Sequence, residues 1–121
     1  MAGLIKKILV AEDEKPMAKA LVLKLNHAGF EAKAAFNGEE AIEEMAKNDY
    51  DLLLLDMIMP RMDGFTVLKK LKEQGTKTKI VVTSNLGQEE DFNKAKELGA
   101  TDYFVKSDTS LSEIVEYIKK M

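Results

Sequence analysis

Five times along 121 residues a short apolar run gives way to a stretch of helical period, and that alternation is the tightest constraint on what this chain can fold into. The runs are "KILVA" (7–11), "EAKAA" (31–35), "LLLLD" (52–56), "KIVVT" (79–83) and "DYFVK" (102–106). Each is the length of a strand and too short for a packed helix. Parallel neighbours in a sheet need a long crossover between them, so strands that alternate with helices predict a parallel sheet covered by those helices. The first, third and fourth runs are nearly all apolar, as strands buried on both faces must be. The second is more polar and predicts an edge strand. Right-handed crossovers onto both faces then predict an α/β, doubly wound (βα)5 arrangement: a five-stranded parallel sheet of order 2-1-3-4-5.

The connecting segments carry their own signals. Asn37 with Glu40, and Ser110 with Glu113, have the spacing of a helix N-cap and its acidic partner. Leu111, Ile114, Val115 and Ile118 form a one-sided stripe in the last helix. A helix opening at Pro16 places Met17, Leu21, Leu25 and Ala28 on one face before Gly29 ends it, and Gly75 and Gly99 follow helices in the same way. Phe92, Ala95 and Leu98 predict the buried side of the helix after the fourth strand.

Length predicts one domain over residues 1–121. A net charge of -3, from 18 basic and 21 acidic residues, gives no general attraction to nucleic acid or anionic lipid. No apolar run approaches a membrane span. Cysteine is absent, which excludes disulfides and thiolate metal sites. The opening "MAGLIKKILVAED" turns acidic too soon for a secretory signal, so the chain is expected in the cytoplasm.

In open parallel sheets the ligand site lies outside the carboxyl ends of the strands. Here those ends deliver Glu12 and Asp13, Asp56, Thr83 and Lys106 to one rim. Taken singly each has an ordinary reading: Glu12 or Asp13 as a helix N-cap, Asp56 as a strand end, Thr83 as a strand residue, Lys106 as a surface lysine. Together they do not. Two carboxylates about 4 Å apart repel by about 4 kcal/mol at an effective dielectric near 20, and Lys106 offers one positive charge against three negative ones. The remainder calls for a cation, and hard oxygen ligands suit Mg²⁺. Asp56 is then placed as a nucleophile toward phosphorus, with Lys106 and Thr83 beside the transferring oxygens. His27 reads as a cation at a helix end, and Met57, Met59 and Met62 as packing residues.

The stretches "ILVAEDE", "LLLLDMIMPRMDG", "IVVTSN" and "GATDYFVK" resemble, over essentially the whole length, the receiver domain of two-component response regulators, of the single-domain chemotaxis-regulator kind, with a flavodoxin-like fold. The resemblance implies that Asp56 accepts a phosphoryl group from a phosphohistidine on a sensor histidine kinase or phosphotransfer protein. It implies that Glu12, Asp13, Asp56 and the backbone carbonyl of Met57 hold Mg²⁺, and that Thr83 and Lys106 contact the acyl phosphate. Tyr103 matches an aromatic switch that turns inward as Thr83 moves. The implied output is a downstream protein partner on the face of the fourth helix, fifth strand and fifth helix, with no nucleic acid bound by this chain, as a monomer or a weak phosphorylation-dependent dimer. The chain is then a phosphoacceptor switch rather than a turnover enzyme, catalysing only its own phosphorylation and slow dephosphorylation. Ser107 stands where the family usually has proline, so whether the bond before it is cis is left open.

Two other classes fit less well. Phosphatases that use a strand-end aspartate with Mg²⁺ resemble Asp-x-Asp, whereas Ile58 occupies the second position after Asp56. A flavin module of similar topology needs a Gly, Ser and Thr-rich phosphate cradle after the first strand, where "AEDEKP" would repel phosphate.

Overall fold

A computed structural model describes residues 5–121, so residues 1–4 of the expected 1–121 unit lie outside the described residues. The chain order is β1 (Lys7–Ala11), α1 (Lys15–His27), β2 (Glu31–Ala35), α2 (Gly38–Lys47), β3 (Leu52–Leu55), α3 (Gly64–Glu73), β4 (Lys79–Ser84), α4 (Glu89–Glu97), β5 (Asp102–Val105) and α5 (Leu111–Lys119). All strand pairs are parallel, in the order β2-β1-β3-β4-β5. The expected architecture is thus observed. β3 stops at Leu55 and β5 at Val105, one residue short of Asp56 and Lys106, while β4 runs on to Ser84. Lys106 instead opens a single 3₁₀ turn, Lys106–Asp108.

Side chains alternate across a strand, and the alternation sorts the core into two layers. Leu9, Leu53, Leu55, Ile80 and Val82 pack with Ala41 of α2, Val67, Leu68 and Leu71 of α3, and Ala95 of α4. Ile8, Val10, Leu52, Leu54 and Val81 pack with Leu21 and Leu25 of α1 and Ile114, Val115 and Ile118 of α5. All four residues of β3 are at most 1% exposed, which is what a central strand under helices on both faces requires. β2, by contrast, alternates between exposed and half-buried positions until Ala35, as an edge strand does. Phe92, expected on the buried side of α4, stays 37% exposed and turns its ring against Tyr103. α4 buries Ala95 alone.

The caps are largely those expected. Asn37 Oδ1 accepts from the Glu40 amide at 2.9 Å, but the Glu40 carboxylate reaches the Phe36 amide, one residue earlier than a strict reciprocal box. Ser110 and Glu113 form the strict box. Asp63 caps α3 through the Thr66 amide at 2.8 Å, a cap hidden in sequence by the turn around it. Neither Glu12 nor Asp13 caps α1; Glu14 holds that position without a side-chain bond. The described residues contain no cis peptide bond, so Lys106–Ser107 is trans.

Glu44 ties α2 to the sheet. Its carboxylate accepts from Tyr50 Oη at 2.7 Å, Asn48 Nδ2 at 2.7 Å and Lys33 Nζ at 3.1 Å. The Tyr50 hydroxyl and the Lys33 ammonium together hold its pKa below the ordinary carboxylate value. A carboxylate depressed in the fold contributes stability that is present above the unfolded pKa and lost as pH falls through the folded one. Glu44→Gln should therefore be less stable than the parent at about pH 7, with the gap closing toward about pH 3. Urea melts of both proteins across that range check it, and a gap that does not change with pH would remove the carboxylate charge from its role.

Candidate functional site

Register puts the candidate residues in a row. Ala11 pairs with Leu55 and Leu55 with Val82, so one step further along, Glu12, Asp56 and Thr83 are neighbours on adjacent strands. The Asp56 amide donates to the Ala11 carbonyl at 3.0 Å, carrying the ladder across that last step. Parity sets their direction: Val10, Leu54, Val81 and Phe104 face α1 and α5, so Glu12, Asp56, Thr83 and Lys106, each two residues on, leave the sheet on that same side. Glu12 and Asp56 are 1% and 4% exposed. Their burial on a rim is the consequence of strands that end inside the helix layers.

Lys106 answers the charge. Its ammonium donates to Asp56 Oδ2 at 3.0 Å and to Glu12 Oε1, and its side chain is only 11% exposed. Burial pulls the ammonium pKa down, but the bond to Glu12 and the charge of Asp56 outweigh that and hold it above its ordinary value. Glu12 is pushed up to about 7, chiefly by burial and further by the Asp56 charge, against the opposing pull of Lys106 and of the Glu14 amide. That amide donates to Glu12 Oε2 at 3.0 Å, closing a turn rather than capping the helix. Asp13 stands at the open side of the pocket. One oxygen from each of Glu12, Asp13 and Asp56 can be taken so that all lie within 4.8 Å of one another. Three hard oxygen donors at that spacing fit a small divalent cation such as Mg²⁺.

The other expected residues divide. Thr83 is 4% exposed and lines a cavity of about 20 Å³ with Lys106, Met17, Leu21 and Thr109. The Met57 carbonyl accepts from the Gly64 amide at 2.9 Å and so has one lone pair engaged in the turn. Tyr103 lies on the opposite face of the sheet, outside the carboxylate cluster. Its hydroxyl donates to the Leu86 carbonyl at 2.6 Å, and its ring meets Phe92 edge-on with centroids 4.7 Å apart. It stands half-buried, joining the β4–α4 loop to α4.

One contact was not legible beforehand. The Ile58 amide donates to Asp56 Oδ1 at 3.2 Å, fixing the carboxylate from the loop that follows it. A main-chain donor has no residue-type signal, so nothing in the sequence pointed to it. The Ile58 side chain is 56% exposed beside the site.

With Lys106 removed, two buried carboxylates would face one another without a counter-charge. Breaking such a buried pair costs about 3–5 kcal/mol. Lys106→Met is expected to lose about that much stability at about pH 8 without divalent metal, and less at about pH 5, where a proton on Glu12 relieves the repulsion. Denaturant melts at the two pH values test this; an equal loss at both would show that packing, not charge, holds Lys106 in place.

The model of the response regulator receiver domain matches residues 8–119. The chain is 37% identical over 100 residues to the transcriptional regulatory protein DltR of Streptococcus agalactiae, covering 83% of this chain and 45% of that one. It is 36% identical over 115 residues to the transcriptional regulatory protein SrrA of Staphylococcus aureus, covering 95% and 47%. The chain thus spans about half the length of the curated relatives it matches. Among solved structures, the receiver domain of the Francisella response regulator 1452 superposes with a TM-score of 0.89 at 31% identity, covering 95% of this chain and 94% of that one.

Proposed function

The chain belongs to the response regulator receiver domain family, and on that premise we propose that it is a phosphoacceptor switch whose acceptor is Asp56. The observation that carries this reading is the buried Asp56 carboxylate, held by Lys106 on one oxygen and the Ile58 amide on the other, beside Glu12 and Asp13. Both oxygens are oriented before any donor arrives, which is the preorganisation that group transfer rewards.

In this reading an Asp56 oxygen forms a bond to phosphorus as the N–P bond of a donor phosphohistidine breaks, and the imidazole keeps the electron pair and takes a proton from solvent. Lys106 stays beside the oxygens that carry the transferred charge, and Thr83 offers a hydroxyl from the next strand. Glu12, Asp13 and Asp56 would hold Mg²⁺, which when bound supplies positive charge next to those oxygens. A main-chain oxygen from Met57 or Ile58 would join them. Met57 has a lone pair committed to Gly64, while among the described residues no main-chain amide donates to the Ile58 carbonyl, which is the freer of the two there.

The transferred phosphate adds about -1.5 to -2 charge beside Thr83. Tyr103 couples the loop after Thr83 to α4, so the response is read on α4, β5 and α5 by a protein partner. The donor is a sensor histidine kinase or phosphotransfer protein, the unit comprises residues 1–121, the compartment is the cytoplasm, and the chain is a monomer or a weak phosphorylation-dependent dimer. Its chemistry ends at its own phosphorylation and slow dephosphorylation.

Because the pocket concentrates negative charge, Mg²⁺ should raise the melting temperature. At a hundred times its Kd the stabilisation would be about 2.7 kcal/mol, and Asp13→Asn should shrink the shift. Equal shifts in the two proteins would exclude Asp13 from the metal set. Acetyl phosphate with Mg²⁺ should add one phosphoryl mass to the protein and none to Asp56→Ala. Intact-mass spectrometry decides, and modification of both alike would dismiss Asp56 as the acceptor.

A further inference from the structure

The loop after Asp56 is squeezed between the starts of two helices. At the start of α3, a Cβ on Gly64 would lie 2.4 Å from the Asp56 carbonyl oxygen and 2.7 Å from the Met57 Cα. At the start of α2, a Cβ on Gly38 would lie 2.1 Å from the Met62 carbonyl oxygen, 2.6 Å from its Cβ and 2.8 Å from its carbonyl carbon. Gly64 follows Asp56 closely in sequence, as a turn glycine should. Gly38 does not: it comes from another βα unit, yet its absent side chain is the space that Met62 occupies.

We propose that Gly38 is a positioning residue for phosphorylation, acting through Met62 and the loop 57–63 on the orientation of the Asp56 carboxylate; this rests on the reading of Asp56 as the acceptor. The connection is short. The Met62 amide donates to the Pro60 carbonyl at 2.7 Å, and two residues before Pro60 the Ile58 amide holds Asp56 Oδ1. Between Pro60 and Met62, Arg61 sits at φ 67, a left-handed conformation that a non-glycine residue adopts only when its surroundings enforce it. The start of α2 is part of that enforcement, with Arg61 Nη1 also lying 3.6 Å from Glu39 Oε2.

Which side would yield to a larger residue follows from anchoring. α2 is fixed by the fully buried Ala41, by the Asn37 cap and by the Glu44 bonds. In the loop, Met57 and Met59 are buried in the core, but the stretch that meets Gly38 is less held: Pro60 and Arg61 are exposed and Met62 is half-buried. The loop would therefore move. Side-chain Cβ atoms essentially never approach other atoms below 3.0 Å, so relieving a 2.1 Å contact needs a shift of on the order of 1 Å. A displacement of that size near reacting groups costs up to about a hundredfold in rate.

The test compares Gly38→Ala with Leu25→Ala, which opens a cavity in the α1 layer far from the loop. Phosphorylation by acetyl phosphate at saturating Mg²⁺ is followed by intact mass, and the Ile58 amide resonance is followed by ¹H–¹⁵N spectroscopy without phosphodonor. Gly38→Ala should slow phosphorylation by about tenfold to a hundredfold and move the Ile58 amide resonance as its bond to Asp56 weakens. Leu25→Ala, which lowers the melting temperature through packing alone, should leave both within twofold and within line width of the parent. Asn37→Ala, which loosens the first turn of α2 without adding bulk, should move the same resonance in a protein that folds, and it replaces Gly38→Ala if that variant does not fold. An unmoved Ile58 amide in the glycine or asparagine variant overturns the proposal, as does an equal loss in Leu25→Ala. If the parent itself is not phosphorylated, it is the acceptor reading that fails, while the amide resonance still judges the contact.

Discussion

Everything at the functional end of this molecule depends on one ammonium group shared between two buried carboxylates. Glu12 and Asp56 leave adjacent strands on the same side and are almost completely withdrawn from water. Without Lys106 their repulsion would be relieved by a proton or by water entering between α1 and the sheet. With it, the ends of β1, β3 and β5 are drawn together across β4. A buried ion cluster of this kind is a poor source of stability and a strong source of geometry, because few arrangements satisfy all its members at once.

That geometry is only available because the strands beneath it cannot slip. Leu52 to Leu55 send alternate side chains into two filled layers, so a shift of one residue would exchange the layers and turn Asp56 to the side of α3 and α4. The leucines thus specify the direction of the carboxylate that follows them. Register then places Thr83 next to Asp56, and the continuation of β4 as far as Ser84 keeps it in the sheet rather than in the loop.

Sequence made the strand pattern, the order of the sheet and the rim residues legible because each rests on periodicity or on charged residues at run ends. Two of the helix caps were legible for the same reason, since a cap is a local spacing. Contacts between distant segments were not. Glu44 gathers Lys33, Asn48 and Tyr50 from two other segments and its own helix end, and nothing in its surroundings in sequence distinguishes it from Glu43. Glu12 looked like a candidate cap because its bond to the Glu14 amide uses the same local chemistry with a different outcome. The Ile58 amide is a main-chain donor that residue identity does not record, and the space at Gly38 is recorded only as the absence of a side chain.

The two flanks of Asp56 are built to opposite specifications. Toward α2 and α3 the backbone is packed so closely that only glycine fits at two positions, and a non-glycine residue is held at positive φ. Toward α4 the helix buries a single alanine, and two polar contacts join it to α3: Lys72 Nζ on the Glu97 carbonyl at 2.6 Å and Lys94 over the Phe65 ring at 4.5 Å. Segments with few buried apolar contacts open at low free-energy cost, whereas closely packed ones pass strain on to their neighbours. Charge added at Asp56 would therefore meet a closely packed loop on one side and a lightly held helix on the other. In the proposed switch, displacement would pass through Thr83, the loop ending at Leu86 and Tyr103 into α4, because that is the direction in which the least packing has to be broken.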